Sequence, residues 1–368
     1  MNKSSENKTY SAIGCMSGTA MDGIDVALIE TDGRSFINRI GFETVRHSDE
    51  LRLALRTCLN QETYDPMIES QFTLAHIPVI EKLLNKTGKA YTDIDVIGMH
   101  GQTTHHDPDN GITVQMGNGE LLAQETNVDV VYDFRKNDMQ NGGQGAPFLP
   151  VYHRALINNA ALSLPIAVLN LGGVGNITWI STDDDMIAFD TGPANAMIDD
   201  WVQSNTDQTF DKNGDIAKQG NIHDDILAAF LSHSYFGQPY PKSLDRNDFH
   251  DVSVDGLSLE DGAATLTEMT VQSVAKGIEL CPQKPTAIYV TGGGRHNSYM
   301  MQRIAEVTGI TTMSVDILGW NGDAMEAEGF AYMAVRSLLG EPISFPTTTG
   351  CQTPTIGGAH IKPKRQAA

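Results

Sequence analysis

One arrangement occurs twice in this chain: an apolar run, a glycine turn and a second apolar run. The first copy, "YSAIGCMSGTAMDGIDVALIETDG", occupies 10–33 and the second, "PIAVLNLGGVGNITWIS", occupies 165–181. Each reads as strand, turn, strand, so the pair predicts two similar halves, although no exact repeat period is present. Further strand-like runs, "DIDVIGMHGQT" at 93–103 and "TAIYVTGGG" at 286–294, also end in glycine. Helical spacing marks 48–60, opened by Ser48 or Asp49, and 68–88, closed by Gly88. It also marks 297–309 and 322–340, the last with Gly340 past its end. Strands interleaved with helices predict α/β layers, and 368 residues suffice for two separate cores.

The net charge of −21 argues against nucleic acid or an anionic membrane as the main partner. It leaves room for an anionic ligand, because backbone amides in glycine-rich loops bind phosphate locally. The N-terminal "MNKSSENKTYSAIG" lacks an apolar h-region, and no run reaches about 18 apolar residues, so neither a signal peptide nor a membrane span is expected. Cys15, Cys58, Cys281 and Cys351 form no C-x-x-C pair, which fits reduced thiols and a cytoplasmic location. The loops at 14–23, 172–175 and 292–294 follow apolar strands, where α/β proteins form ligand clefts. "NKTGKA" lacks the first glycine and the final hydroxyl of a P-loop. "GGVGNIT" and "GGQGAPF" lack the last glycine of a dinucleotide fingerprint. Each loop alone could be a plain tight turn; three together favour a nucleotide cleft.

Seven blocks in order carry a resemblance: "GCMSGTAMDGIDVAL", "GMHGQTTHH", "DFRKNDMQNGGQGAPFLP", "LNLGGVGNIT", "FDTGPANAMID", "TGGGRHN" and "GDAMEAEGFAYMA". Together they resemble the anhydro-N-acetylmuramic acid kinases of the sugar kinase/actin/Hsp70 superfamily, from Gly14 to Gly358. The resemblance implies an α/β fold of two ribonuclease-H-like domains with an interdomain cleft. The domains are placed at 1–133 plus about 345–368, and at 134–344. It implies a cytoplasmic homodimer that uses ATP and Mg²⁺ to open 1,6-anhydro-N-acetylmuramic acid with water and phosphorylate O6, in peptidoglycan recycling.

Such a reaction needs a carboxylate base for water attacking C1, and charge stabilisation for phosphoryl transfer. Asp190 in "AFDTGPANAM" is the expected base; the competing reading is an N-cap for the helix that follows. A protease of the Asp-Thr-Gly type would need two such carboxylates, and the chain has one D-T-G. Glu326 is the second catalytic candidate, against an ordinary helix carboxylate on the face of Asp323 and Phe330. ATP contacts are expected from Ser17, Gly18, Thr19, Ala20, Met21, Asp22, Gly23 and Ile24, and from Gly172, Gly173, Gly175 and Asn176. Gly292, Gly293 and Gly294 are assigned to the adenine. Asp22 is the metal candidate, holding Mg²⁺ through water, or else a turn-forming residue before Gly23.

By resemblance, His100, Gly101, Gln102 and Thr103 contact the sugar and the rest of that loop is solvated. Adjacent His105 and His106 are poor co-ligands for zinc. Arg135 is expected on the lactyl carboxylate or a phosphate, or else in an ion pair with Asp133 or Asp138. Ala20, Ala194, Val174-Gly175 and Leu244-Asp245 depart from the family's usual residues, so no role is carried over for the loop holding the last pair. Two other functions fit the same motifs: a sugar kinase that phosphorylates an intact hydroxyl, and a non-catalytic ATP-binding regulator.

Overall fold

The computed structural model describes residues 8–18, 21–160, 162–182, 185–244, 248–249 and 252–364. Strands β1 (Tyr10–Met16), β2 (Gly23–Thr31) and β3 (Ile37–Arg46) form an antiparallel meander. Helix α1 (Asp49–Thr57) follows, with Ser48 accepting from the Leu51 N–H at 3.2 Å as its N-cap. Helix α2 (Pro66–Thr87) starts two residues before the apolar pattern, because Asp65 caps it and Pro66 occupies its first turn. Gly88 closes it at φ 68°, the left-handed cap expected there.

Next come β4 (Val96–Met99), a separate hairpin of β5 (Gln102–Asp107) and β6 (Ile112–Met116), α3 (Gly119–Thr126), β7 (Asp129–Tyr132), α4 (Lys136–Gln140) and α5 (Pro150–Ala160). The second half runs through β8 (Ile166–Leu171), β9 (Val174–Thr182), β10 (Asp185–Pro193), α6 (Asn195–Asn205), α7 (Asp224–Leu231) and α8 (Leu259–Leu280). It continues through β11 (Ala287–Thr291), α9 (Ser298–Thr308) and β12 (Thr311–Ser314). Helix α10 (Met325–Leu339) and β13 (Ala359–Ile361) return to the first half.

The first sheet runs β13-β7-β4-β1-β2-β3 and the second β10-β9-β8-β11-β12. In each, three antiparallel strands are followed by two that run parallel to the first strand of the meander. Apart from the added β13 edge, order and direction are identical, which makes both units ribonuclease-H-like and explains the doubled glycine pattern.

The chain divides into 1–160 with 324–368, and 161–323. The expected boundaries at 134 and 344 therefore move. Residues 134–160 and 324–344 belong with the first sheet, because α5 and α10 pack together there: Tyr152 Oη donates to Glu328 at 2.7 Å. The far end of α10 is tied to the β2–β3 turn, where Arg336 donates to Gly33 O at 2.9 Å and Tyr332 Oη to Arg34 O at 2.7 Å.

Helix α10 lies almost directly on the sheet. Gly14 of β1 and Gly98 of β4 are register partners. A Cβ on Gly14 would fall on the Ala327 carbonyl, and one on Gly98 on the Phe330 carbonyl. On the opposite face, Ile13 and Cys15 join Val79, Ile80, Leu83 and Leu84 of α2 in one core. In the second unit α8 and α9 contribute Val271, Val274, Met300 and Ile304 to a core with Leu169, Trp179 and Phe189.

Candidate active site

The first glycine turn is built by side chains from three places. Gln102 Nε2 donates to Gly18 O at 3.2 Å, and its Oε1 accepts from Ser17 Oγ at 2.8 Å. Ser17 also lies 3.2 Å from His47 Nε2 and 3.0 Å from Gly23 O. Thr19 and Ala20 lie outside the described residues. The Met21 N–H is committed to Gly18 O at 3.1 Å, and its side chain fills a small core with Leu55, Phe72 and Met116. Ile24 is buried in the main core, and Gly23 is pressed against β3, where a Cβ would stand 2.5 Å from Val45 O. Only main-chain atoms of Met21 and Ile24 remain for a ligand. Asp22 is exposed, its carbonyl accepting from the His47 N–H at 3.0 Å. Burial holds the His47 imidazole below its ordinary pKa, against the attraction of Asp22.

The segment after β4 carries a buried polar group. Gly101, at φ 80°, turns the chain into β5. His100 Nε2 accepts from Arg135 Nη2 at 2.9 Å and from Arg135 Nε at 3.2 Å. Its Nδ1–H then donates to Gly101 O at 2.8 Å, so both ring nitrogens are spoken for and the imidazole is neutral. Burial and the neighbouring guanidinium hold His100 well below the ordinary histidine pKa. Arg135 also donates to Gly145 O at 2.7 Å. Neither expected ion-pair partner touches it: Asp133 pairs with Lys136 at 2.6 Å, and Asp138 accepts from Thr349 Oγ1 at 2.6 Å and the Gly145 N–H at 2.7 Å. Burial lowers the Arg135 pKa to about 10, opposed by Glu326 and Asp138. Thr103 is half-buried, 3.5 Å from Gln115 Nε2. The rest of this loop is not solvated as expected, because β5 and β6 pair; His106 meets Thr113 Oγ1 at 3.0 Å, and burial lowers its pKa to about 4.

Glu326 sits in the first turn of α10, half-buried. Burial and the charge of Asp25 raise its pKa, while Arg135 opposes them. Asp323, expected on the same helix face, precedes the helix and pairs with Arg295 at 2.8 Å.

In the second unit, Asp190 lies inside β10, four residues before the Ala194 cap of α6, so it is not a helix N-cap. A register shift between Asp190 and Gly192 bulges the strand there, and Asp190 stands opposite Asn176 of β9. Its Oδ2 accepts from the Leu244 N–H at 2.8 Å, its N–H donates to Lys242 O at 2.9 Å, and Tyr235 Oη donates to its carbonyl. Burial pushes the Asp190 carboxyl up to about 7, assisted by Asp248 and opposed by the Leu244 hydrogen bond and Lys242. Lys242 is buried, its pKa lowered to about 8, with its ammonium 4.2 Å from the Tyr235 ring centroid. These three partners were not legible in the sequence, since they come from 45 to 54 residues away. Leu244 acts through its main chain, so its unusual side chain leaves that contact intact; Asp245 lies outside the described residues.

Gly172 and Gly173 turn β8 into β9 and accept the Asn195 and Ala194 N–H groups at 2.9 and 3.0 Å. Gly175 is covered by Thr191, whose Oγ1 would lie 2.7 Å from a Cβ there. Gly292, at φ 75°, and Gly294 pack on Leu171, so the loops after parallel neighbours β8 and β11 meet; Gly293 is exposed. Both loops thus abut the strand end next to Asn176 and Asp190.

The family model for anhydro-N-acetylmuramic acid kinase matches residues 10–363. A protein of that name from Zymomonas mobilis is 49% identical, covering 94% of this chain and 98% of its own length. One from Rhizorhabdus wittichii is 47% identical over 96% and 99%, and one from Paramagnetospirillum magneticum 46% over 96% and 99%.

Proposed function

This chain belongs to the anhydro-N-acetylmuramic acid kinase family, and from that premise we propose that it opens 1,6-anhydro-N-acetylmuramic acid with water and phosphorylates O6 with ATP. The product is N-acetylmuramic acid 6-phosphate, a step of peptidoglycan recycling. The observation that carries the reading is Asp190: a carboxylate held on the Leu244 N–H at the bulge inside β10, with a pKa of about 7. A base works best when its pKa lies near the working pH.

In this mechanism Asp190 takes a proton from the water that attacks C1, the C1–O6 bond breaks, and O6 attacks the γ-phosphorus while its bond to the β–γ bridging oxygen breaks and ADP leaves. Glu326 acts as a second carboxylate, orienting water or a sugar hydroxyl. Arg135 is assigned to the lactyl carboxylate, with His100, Gln102 and Thr103 along the same sugar. His100 cannot serve as the base, because its acceptor nitrogen is taken by Arg135. Residues 17–24, Gly172, Gly173, Gly175 and Asn176 are assigned to the phosphates, and Gly292, Gly293 and Gly294 to the adenine.

Among the described residues no three His, Cys, Asp or Glu side chains form a metal cluster. Asp22, an exposed carboxylate in the turn assigned to the phosphates, would hold Mg²⁺ through water. Magnesium supplies neutralisation of phosphate charge. The enzyme is assigned to the cytoplasm as a homodimer; no helix among the described residues is long and apolar enough to cross a membrane.

The test is mass spectrometry of the products formed from Mg-ATP and the anhydro sugar in ¹⁸O-labelled water. A ring-opened, phosphorylated sugar carrying one solvent oxygen is expected. A phosphorylated sugar with the anhydro ring intact would indicate a plain sugar kinase, and no sugar product would leave a nucleotide-binding regulator.

A further inference from the structure

His47 follows β3 and precedes the α1 cap, more than 20 residues from every assigned site residue. Its main chain and its ring reach the two ends of the first glycine turn. The N–H donates to Asp22 O at 3.0 Å, and Nε2 lies 3.2 Å from Ser17 Oγ.

The proton inventory fixes the direction of the second contact. Ser17 has one hydroxyl hydrogen and two carbonyl-type acceptors, Gln102 Oε1 at 2.8 Å and Gly23 O at 3.0 Å. Gln102 cannot be turned the other way, because its Nε2 donates to Gly18 O at 3.2 Å. The Ser17 hydrogen therefore goes to an oxygen, and His47 supplies Nε2–H to Ser17 Oγ. Ser17 is buried, with its one hydroxyl hydrogen committed to a protein oxygen, so it holds the turn rather than donating to phosphate. The ring is fixed in turn by Phe72, at 5.9 Å between centroids.

We infer that His47 is a positioning residue that clamps both ends of the first glycine turn, through Ser17 and Asp22, and so sets the main-chain geometry that receives nucleotide phosphates. The inference rests on the reading of 17–24 as a phosphate-binding turn. A phosphate cradle of main-chain N–H groups depends on such fixing, because each donor is useful only when aimed.

The test titrates a non-hydrolysable ATP analogue into the full-length protein by calorimetry and measures steady-state kinetics for both substrates. His47→Ala should weaken the analogue and raise KM for ATP about 5- to 10-fold, as for one lost hydrogen bond, with kcat and the sugar KM within about twofold. His47→Gln, which restores an N–H at the same reach, should recover most of the loss. Should His47→Ala not fold, His47→Leu fills the ring volume without a donor and is read the same way. Gly18→Asp separates the two ideas, since no described atom lies within 4 Å of a Cβ there and the new charge opposes phosphate. If Gly18→Asp weakens the analogue and His47→Ala does not, the clamp is wrong and the phosphate-turn reading stands. If Gly18→Asp changes nothing, the phosphate-turn reading fails and the clamp with it. A parallel rise in both KM values, or no recovery in His47→Gln, would also overturn the clamp.

Discussion

At the scale of single residues, Asp190 couples chemistry to stability. Its folded pKa of about 7 exceeds the ordinary carboxyl value, so the folded chain binds this proton more tightly than the unfolded chain. Stability is therefore lost as pH rises from about 4 through 7, while the ionised base is gained over the same interval. Asp190→Asn keeps an acceptor for the Leu244 N–H and has no charge to bury. We expect turnover to fall by a factor of about 10² to 10⁴. We also expect unfolding at pH 8 to cost about 2 to 4 kcal/mol more than in the parent, with the difference vanishing near pH 4. Denaturant melts at the two pH values check the second part; equal stabilities at pH 8 would contradict the buried carboxylate. In the parent, kcat/KM should fall as pH drops below about 7. Sequence alone places Asp190 near a glycine turn but cannot choose between base and helix cap. That choice depends on whether Thr191, Gly192 and Pro193 continue a strand, which the packing of β10 decides: a Cβ on Gly192 would stand 2.5 Å from Ser273 Oγ of α8.

At the scale of elements, the glycines divide by task. Gly14 looks like part of a ligand turn in the sequence, yet it is a contact point between β1 and α10. Gly14→Ala forces the helix off the sheet and should cost about 3 kcal/mol or more, because the obstruction is a helix backbone that cannot rotate away. Gly18→Ala meets no described atom within 4 Å and should leave thermal stability within about 0.5 kcal/mol of the parent. Calorimetric melting of the two variants checks the contrast; similar losses would mean that α10 has room to shift. The sequence marked a helix within 322–340 with Gly340 past its end; the structure starts it at Met325 and keeps the Gly340 cap, since periodicity and C-capping are local. It did not show the β5–β6 hairpin, whose strands at 102–116 mix polar and apolar residues without a clean period.

At the scale of the whole molecule, two sheets of the same order and direction arise from one chain whose first and last described strands, β1 and β13, share the first sheet. The net charge of −21 leaves the folded state under self-repulsion. Raising NaCl from about 20 to 500 mM should lift the melting temperature by a few degrees, because the shorter Debye length screens repulsion among the excess carboxylates. A flat response would mean that local ion pairs already balance the charge. The sequence by itself determined the two strand–glycine–strand units, the helix ends closed by Gly88 and Gly340, and the order of motifs that identifies the family. All of these are written in neighbouring residues. Tertiary structure decided where α5 and α10 belong, which glycines serve packing, and what surrounds Asp190 and Ser17. The physical reason is distance along the chain: Leu244, Tyr235, His47 and Gln102 reach their partners across 30 to 85 residues, and only the folded sheets bring such groups within a hydrogen bond.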